Sequence, residues 1–440
     1  MQSRVDLMHR LLIPAFAGAM ITLSLSCAKN SQTQAREQKV STQNPTVSVS
    51  EQIDAGAQPK GSTSPKRMGL LLAMVYIKDT SPEGISKAPA RLAVLHQQFG
   101  VWRYEYMEDY DSRVFHKAMV FDPVSGRPGV LTAGGTRAIL KLWRRGFEPE
   151  VIWEEDFGGK VSRLRDFELA DVYGDGRTSV VVATHDQGVV AVVRPDFAGG
   201  YYVEELDRRP RTFVHEVEVG DLDGDGVPEI YATPSLPNKV DGSAQPGSVV
   251  RYVPARGEGP TTVAELGERH AKEILVDDLD NDGRDELYVV VEAVSAGRVE
   301  IRRFAHDTPP SNGLVIATLP DTMCRFLTCG DIDGNGSKEM VAAAKNSGVW
   351  LLRPPAESGA SWSVESVDKN STGFVHAALL TDLDGNGSDE LYVTDDRLAV
   401  VNQYQWHAGT LEKTTIHKYD LDFAGFTWNI MPVRVDLIPF

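Results

Sequence analysis

The chain has 440 residues, 42% of them hydrophobic and 24% charged, and a formal charge of −17. That length holds one large domain or two or three ordinary ones. The acid excess excludes a nucleic-acid partner, because a phosphate backbone selects for Lys and Arg.

Met1 to Cys27 has the three parts of an export signal: Arg4 and Arg10, then the apolar run from Leu11 to Leu25, then small residues. The apolar run is too short to be a comfortable transmembrane span. Leu23-Ser24-Leu25-Ser26-Cys27 resembles the bacterial lipobox, which implies a lipoprotein lipidated at Cys27. Cleavage by an ordinary signal peptidase is the alternative. Residues 28–67 are rich in Gln, Ser, Thr, Lys and Pro and cannot bury enough apolar surface to fold, so they read as a disordered tether. A membrane association through the lipid alone is expected, at the bacterial cell envelope on its extracytoplasmic side.

From Met68 onward the chain reads as short strands. Met68 to Ile77, Ala90 to His96 and Val101 to Glu108 are three successive strands with no strand before them. A repeat then begins. Asp221-LDGDGVPEI, Asp278-LDNDGRDEL, Asp331-IDGNGSKEM and Asp382-LDGNGSDEL match closely, with a weaker copy at Asp171 and a degenerate one at Asp122. Successive starts are 49, 50, 57, 53 and 51 residues apart. Each copy follows one alternating run and precedes three more, and four short strands per ~50 residues is the signature of a propeller blade. Cys324 and Cys329 fall in one predicted strand, ~16 Å apart at ~3.3 Å per residue, beyond the reach of a disulfide. Phe426 to Phe440 reads as a lone first strand, which completes the three N-terminal strands. The expected fold is all-β: residues 68–440 form a seven-bladed propeller of four-stranded blades, closed by the N- and C-terminal segments together, and a monomer is expected.

A hard cation such as Ca²⁺ takes six to eight oxygens at flexible spacing. The third loop supplies Asp221, Asp223, Asp225 and Glu229, with the carbonyl of Val227 at the seventh position. The fourth supplies Asp278, Asp280, Asp282 and Glu286 with Arg284, the fifth Asp331, Asp333, Asn335 and Glu339 with Ser337, and the sixth Asp382, Asp384, Asn386 and Glu390 with Ser388. About four Ca²⁺ sites are expected. At the second loop Asp171 and Asp175 remain, but Tyr173 and Ser179 stand where acids are needed. An EF-hand is excluded, because its bidentate Glu would fall at Ala232, Val289, Ala342 and Val393. These loops resemble the FG-GAP/VCBS repeat superfamily, which includes the calcium-bearing propeller blades of integrin α-subunits. The resemblance implies metal loops that serve as struts between the first and second strands of a blade.

Six residues before each motif aspartate stand His116, Arg165, His215, Lys272, Arg325 and His376. Placed around one mouth of the central channel, they form either an anion site for a uronate, sulfate or carboxylate group, or ties to the acids that follow them, such as Asp166, Glu216 and Glu273. The expected function is a calcium-stabilised binding or scaffold propeller recognising a carbohydrate or an envelope protein. The alternative is a propeller-fold uronate-polysaccharide lyase using His116, His215 and His376. No nucleophile elbow, HExxH or phosphate-binding glycine loop accompanies them, and no catalytic residue is assigned.

Overall fold

Each repeat folds as an antiparallel meander of four strands whose first strand lies innermost. The computed structural model describes residues 67–440 except 78–80, 82–86, 124–125, 136, 159–161, 186, 197–198, 237–242, 295–296, 358 and 421–423. The export signal, Cys27 and all of the tether but Arg67 lie outside the described residues.

Seven four-stranded sheets make up the fold. The innermost strands of the first six blades are Phe115–Phe121, Leu164–Ala170, Phe213–Gly220, Ala271–Asp277, Cys324–Gly330 and Ala378–Thr381. In the seventh blade, Ala424–Arg434 is innermost and pairs antiparallel with Met68–Ile77, followed outward by Ala90–Gln98 and Val101–Asp109. The expected closure by both chain ends is therefore present, and it leaves the ring without an open joint.

Apolar side chains do not gather in one central core. They form layers between adjacent blades: Phe121, Leu140 and Phe167 between the first and second, for example, and Leu71, Leu92 and Phe115 between the seventh and first. The second strand of every blade is covered on both faces, which explains continuous apolar runs such as Ser179–Thr184 and Glu339–Ala344, buried throughout.

The central channel is shaped by a repeated irregularity. The pairing of first with second strand slips between Phe115 and Lys117, Leu164 and Asp166, Val214 and Val217, Ala271 and Ile274, and Cys324 and Phe326. A β-bulge breaks the alternation of side chains and re-aims them. Here the residues left unpaired are His116, Arg165, His215, Lys272 and Arg325, five of the six basic residues, together with Glu216 and Glu273.

Candidate metal loops and the central channel

Every complete loop is built around its first aspartate. Asp221 accepts the N–H of Asp225 at 3.1 Å and of Gly226 at 2.7 Å. Asp278 does the same with Asp282 (3.1 Å) and Gly283 (2.9 Å), Asp331 with Asn335 (2.9 Å) and Gly336 (2.7 Å), and Asp382 with Asn386 (3.0 Å) and Gly387 (2.9 Å). At the ninth position Glu229, Glu286, Glu339 and Glu390 are buried. Three of them fold back to accept the N–H of the second loop residue, Leu222 at 3.3 Å, Ile332 at 3.1 Å and Leu383 at 3.1 Å. Tyrosines two residues on, Tyr288 and Tyr392, donate to Glu286 at 2.9 Å and Glu390 at 3.1 Å.

The result is four carboxylate groups whose oxygens lie within 4.8 Å of one another: Asp221, Asp223 and Asp225; Asp278, Asp280 and Asp282; Asp331, Asp333 and Glu339; Asp382, Asp384 and Glu390. The donor set fits a hard divalent cation. Glu390 is 2% exposed and its Oε1 has no hydrogen-bond partner. Asp333 Oδ1, in the preceding loop, is likewise unpartnered. A buried carboxylate oxygen without a donor is costly unless a cation meets it.

The loop at Asp171 keeps the turn, with Asp175 N and Gly176 N donating to Asp171 at 3.1 and 2.6 Å. Its chemistry differs. Asp175 is engaged by Arg177 and Arg194, and Tyr173 donates to Glu204 at 2.7 Å. Among the described residues no carboxylate group of the kind found in the other four forms there.

The six basic residues do not act as one ring. His116, Arg165 and Arg325 line a cavity of about 160 Å³ in the channel. His215 and Lys272 are each 1% exposed. His376 is sealed, its ring nitrogens 3.0 Å from Ser371 Oγ and 2.9 Å from the Ala344 carbonyl. Burial holds His116 and His215 well below the usual imidazole range and His376 at about 4. The three histidines are therefore neutral at pH 7, and among the described residues no metal-ligating group includes them. Lys272 lies 3.2 Å from Glu292, and burial lowers it to about 8. Arg325 Nε is 3.8 Å from the same carboxylate. Arg165 stacks over Trp428, 5.1 Å from the ring centre.

The same cavity also gathers acids. Asp166, Glu168, Glu216, Glu218 and Glu273 converge from three blades, with Lys117 as the cation among them. Lys117 lies 3.0 Å from Asp166 and is bonded to Glu168. Asp166 and Glu273 also tie blades together, accepting Val217 N and Leu327 N of the next blade at 3.0 Å each. Burial first, and then mutual repulsion, raises Glu216 and Glu218 well above the carboxylate range. Glu273 is pushed up to about 8, mainly by burial. Sequence reading marked Asp166, Glu216 and Glu273 only as partners for the basic set and passed over Glu168 and Glu218. The regular alternation expected of a strand hides which residues face the channel where the innermost strands of five of the first six blades carry a bulge.

No protein-family model matches the chain, and no curated protein matches it in sequence. Solved structures are similar to it. A candidate 6-phosphogluconolactonase from Bacteroides fragilis shares 12% identity and a TM-score of 0.50, over 85% of this chain and 100% of its own. A structure described as the Dos1 propeller shares 8% identity at a TM-score of 0.50, over 81% of this chain and 87% of its own. At such identities the likeness is one of fold, and the fold is a seven-bladed β-propeller.

Proposed function

We propose that this chain is a calcium-stapled binding propeller of the FG-GAP/VCBS type, held at the extracytoplasmic side of a bacterial envelope by a lipid on Cys27. The observation that carries the reading is the set of four carboxylate groups at one position of four successive repeats, with Glu390 Oε1 buried and unpartnered in one of them. Calcium supplies the charge that three or four crowded carboxylates lack, and it cross-links the first and second strands of those four blades where a disulfide would do so in other exported proteins. Cys324 and Cys329 are free thiols, consistent with that need.

The ligand side of the proposal is a carbohydrate or an envelope protein. Support comes from a cavity of about 940 Å³ between the first two blades, lined by Arg127, Arg144, Glu150, Tyr201 and the exposed ring of Phe147. An aromatic face beside charged hydrogen-bonding groups suits a sugar. This cavity opens on the same end of the ring as the metal loops, since Pro123 and Pro128 of the first blade's first-to-second strand connection line it. The lyase reading draws no support from His215 and His376, which solvent does not reach.

The test of the calcium reading is thermal unfolding with and without a chelator. EDTA should lower the melting temperature by more than ~5 °C and added Ca²⁺ should restore it. An unchanged melting temperature together with no heat of Ca²⁺ binding overturns the proposal.

A further inference from the structure

The four loops divide into two pairs according to what meets their carboxylates. In the first pair arginines do. Arg256 is bonded to Asp225, and Arg251 donates to Glu229 Oε1 at 2.7 Å. Arg303 donates to Asp280 at 2.6 Å and also to Glu286. Arg251 and Arg303 occupy equivalent places on the third strands, opposite Tyr231 and Tyr288. In the second pair the same places hold Leu351, opposite Val341, and Gln403, opposite Tyr392. Gln403 spends its amide on the Tyr392 hydroxyl at 3.2 Å. Arg353 approaches Glu339 only to 3.8 Å.

The carboxylate groups differ in make-up as well, because the fifth position is Asp225 or Asp282 in the first pair and Asn335 or Asn386 in the second. In the first pair three aspartates make the group of oxygens within 4.8 Å. In the second pair two aspartates and the ninth-position glutamate, Glu339 or Glu390, make it. The unpartnered oxygens, on Asp333 and Glu390, also belong to the second pair.

We propose that Arg251, Arg256 and Arg303 act as resident counter-ions that rank the sites: loops 331–339 and 382–390 take Ca²⁺ tightly, and loops 221–229 and 278–286 take it weakly. The inference rests on the calcium reading above and reverses what ligand charge alone dictates. At the ligand positions, loops 221–229 and 278–286 offer four acids each and the other two offer three, so charge count would rank the first pair higher. A guanidinium already bonded to the ligand oxygens occupies their lone pairs and opposes a second positive charge. Binding at the weak pair must displace an arginine.

The experiment is calorimetric titration of Ca²⁺ into chelator-stripped protein. Two tight and two weak sites are expected, at least tenfold apart in Kd. Asp384→Asn should delete a tight site and Asp280→Asn a weak one. Arg303→Gln should tighten one weak site at least fivefold. Arg256→Gln is a second variant, since this surface arginine pairs with Asp225 at a half-exposed site and its loss leaves the fold intact. Four sites of one affinity, loss of a tight site in Asp280→Asn, or no tightening in either arginine variant overturns the ranking and leaves the calcium reading standing. Absence of any Ca²⁺ heat overturns the calcium reading itself.

Discussion

Asp389 accepts the main-chain N–H of Asp331, in the loop of the preceding blade, through Oδ2 at 2.7 Å. It returns its own N–H to the Asp331 carbonyl at 2.8 Å. Asp285 and Asp221 repeat the pairing at 2.7 and 3.3 Å. Two pairs of neighbouring loops are thus linked, each through the residue before the ninth-position glutamate of the later loop. The residue before the first aspartate of the receiving loop is glycine in both cases, and there is a reason. A Cβ at Gly330 would lie 2.3 Å from Asp389 Oδ2, and one at Gly220 would lie 2.7 Å from Asp285 Oδ2. Between the fourth and fifth blades that place holds Asp277, and its partner is Lys338 at 2.6 Å.

Gly330→Ala should therefore destabilise the protein by ~1–3 kcal/mol through overpacking, and Asp389→Ala by ~1–2 kcal/mol through the orphaned N–H of Asp331. Because the two changes act at one contact, the double variant should cost less than the sum. Urea unfolding in the presence of a chelator separates this from metal binding. Strict additivity would show that Gly330 is small for some other reason.

The channel carboxylates make a prediction about pH. Burial raises the folded pKa of Glu273 to about 8 from an ordinary value of 4.5. The folded state then holds a proton that the unfolded chain releases, so this group lowers stability progressively as pH rises from about 4.5 to about 8. Glu168, Glu216 and Glu218 shift in the same direction. Glu292, held down at about 2, matters only in acid, where its contribution is lost as pH falls. Glu273→Gln keeps an oxygen for Leu327 N and removes the titration. It should match the wild type near pH 5 and exceed it by more than ~1 kcal/mol at pH 9. Lys117, Arg165 and Arg325 face Glu273 in both proteins, so the difference isolates the one carboxyl. A wild-type-to-variant difference that stays flat between those pH values would refute the assignment.

How much of this was legible in the chain depends on what kind of information each feature needs. The gathering of loop carboxylates was readable, because Asp221, Asp223, Asp225 and Glu229 are held by local turns whose spacing is in the sequence. Closure was readable too, since three strands without a first at one end and a first strand without followers at the other admit one solution. The arginines were not. Arg251 is 22 residues beyond Glu229 and reaches it only because the third strand pairs with the second in one register. The channel interior was half legible: residues six before each aspartate stood out as basic, but the bulge that exposes their acidic neighbours has no sequence signature. Burial then decided the outcome for His215 and His376, which a sequence cannot separate from a surface histidine.

The last prediction concerns the joint of the ring. Ala424–Arg434 pairs with Met68–Ile77 along ten residue pairs, from Met68 with Arg434 to Ile77 with Ala424, interrupted by one bulge. Its side chains reach both neighbours: Ile430 packs with Tyr392 and Val401 of the sixth blade, and Val433 with Phe115 and Val130 of the first. Deleting residues 424–440 removes the innermost strand of the seventh blade and leaves Met68–Ile77 as an open edge beside the channel. In an ordinary repeat array such a loss trims one end and the rest persists. In a closed ring it exposes two inter-blade layers at once, so the whole molecule should lose cooperative unfolding and become sensitive to protease throughout. Supplying the strand as a separate peptide should restore protection. A truncated protein that still unfolds in one sharp transition would mean that the blades are held by their neighbours alone and that closure contributes little.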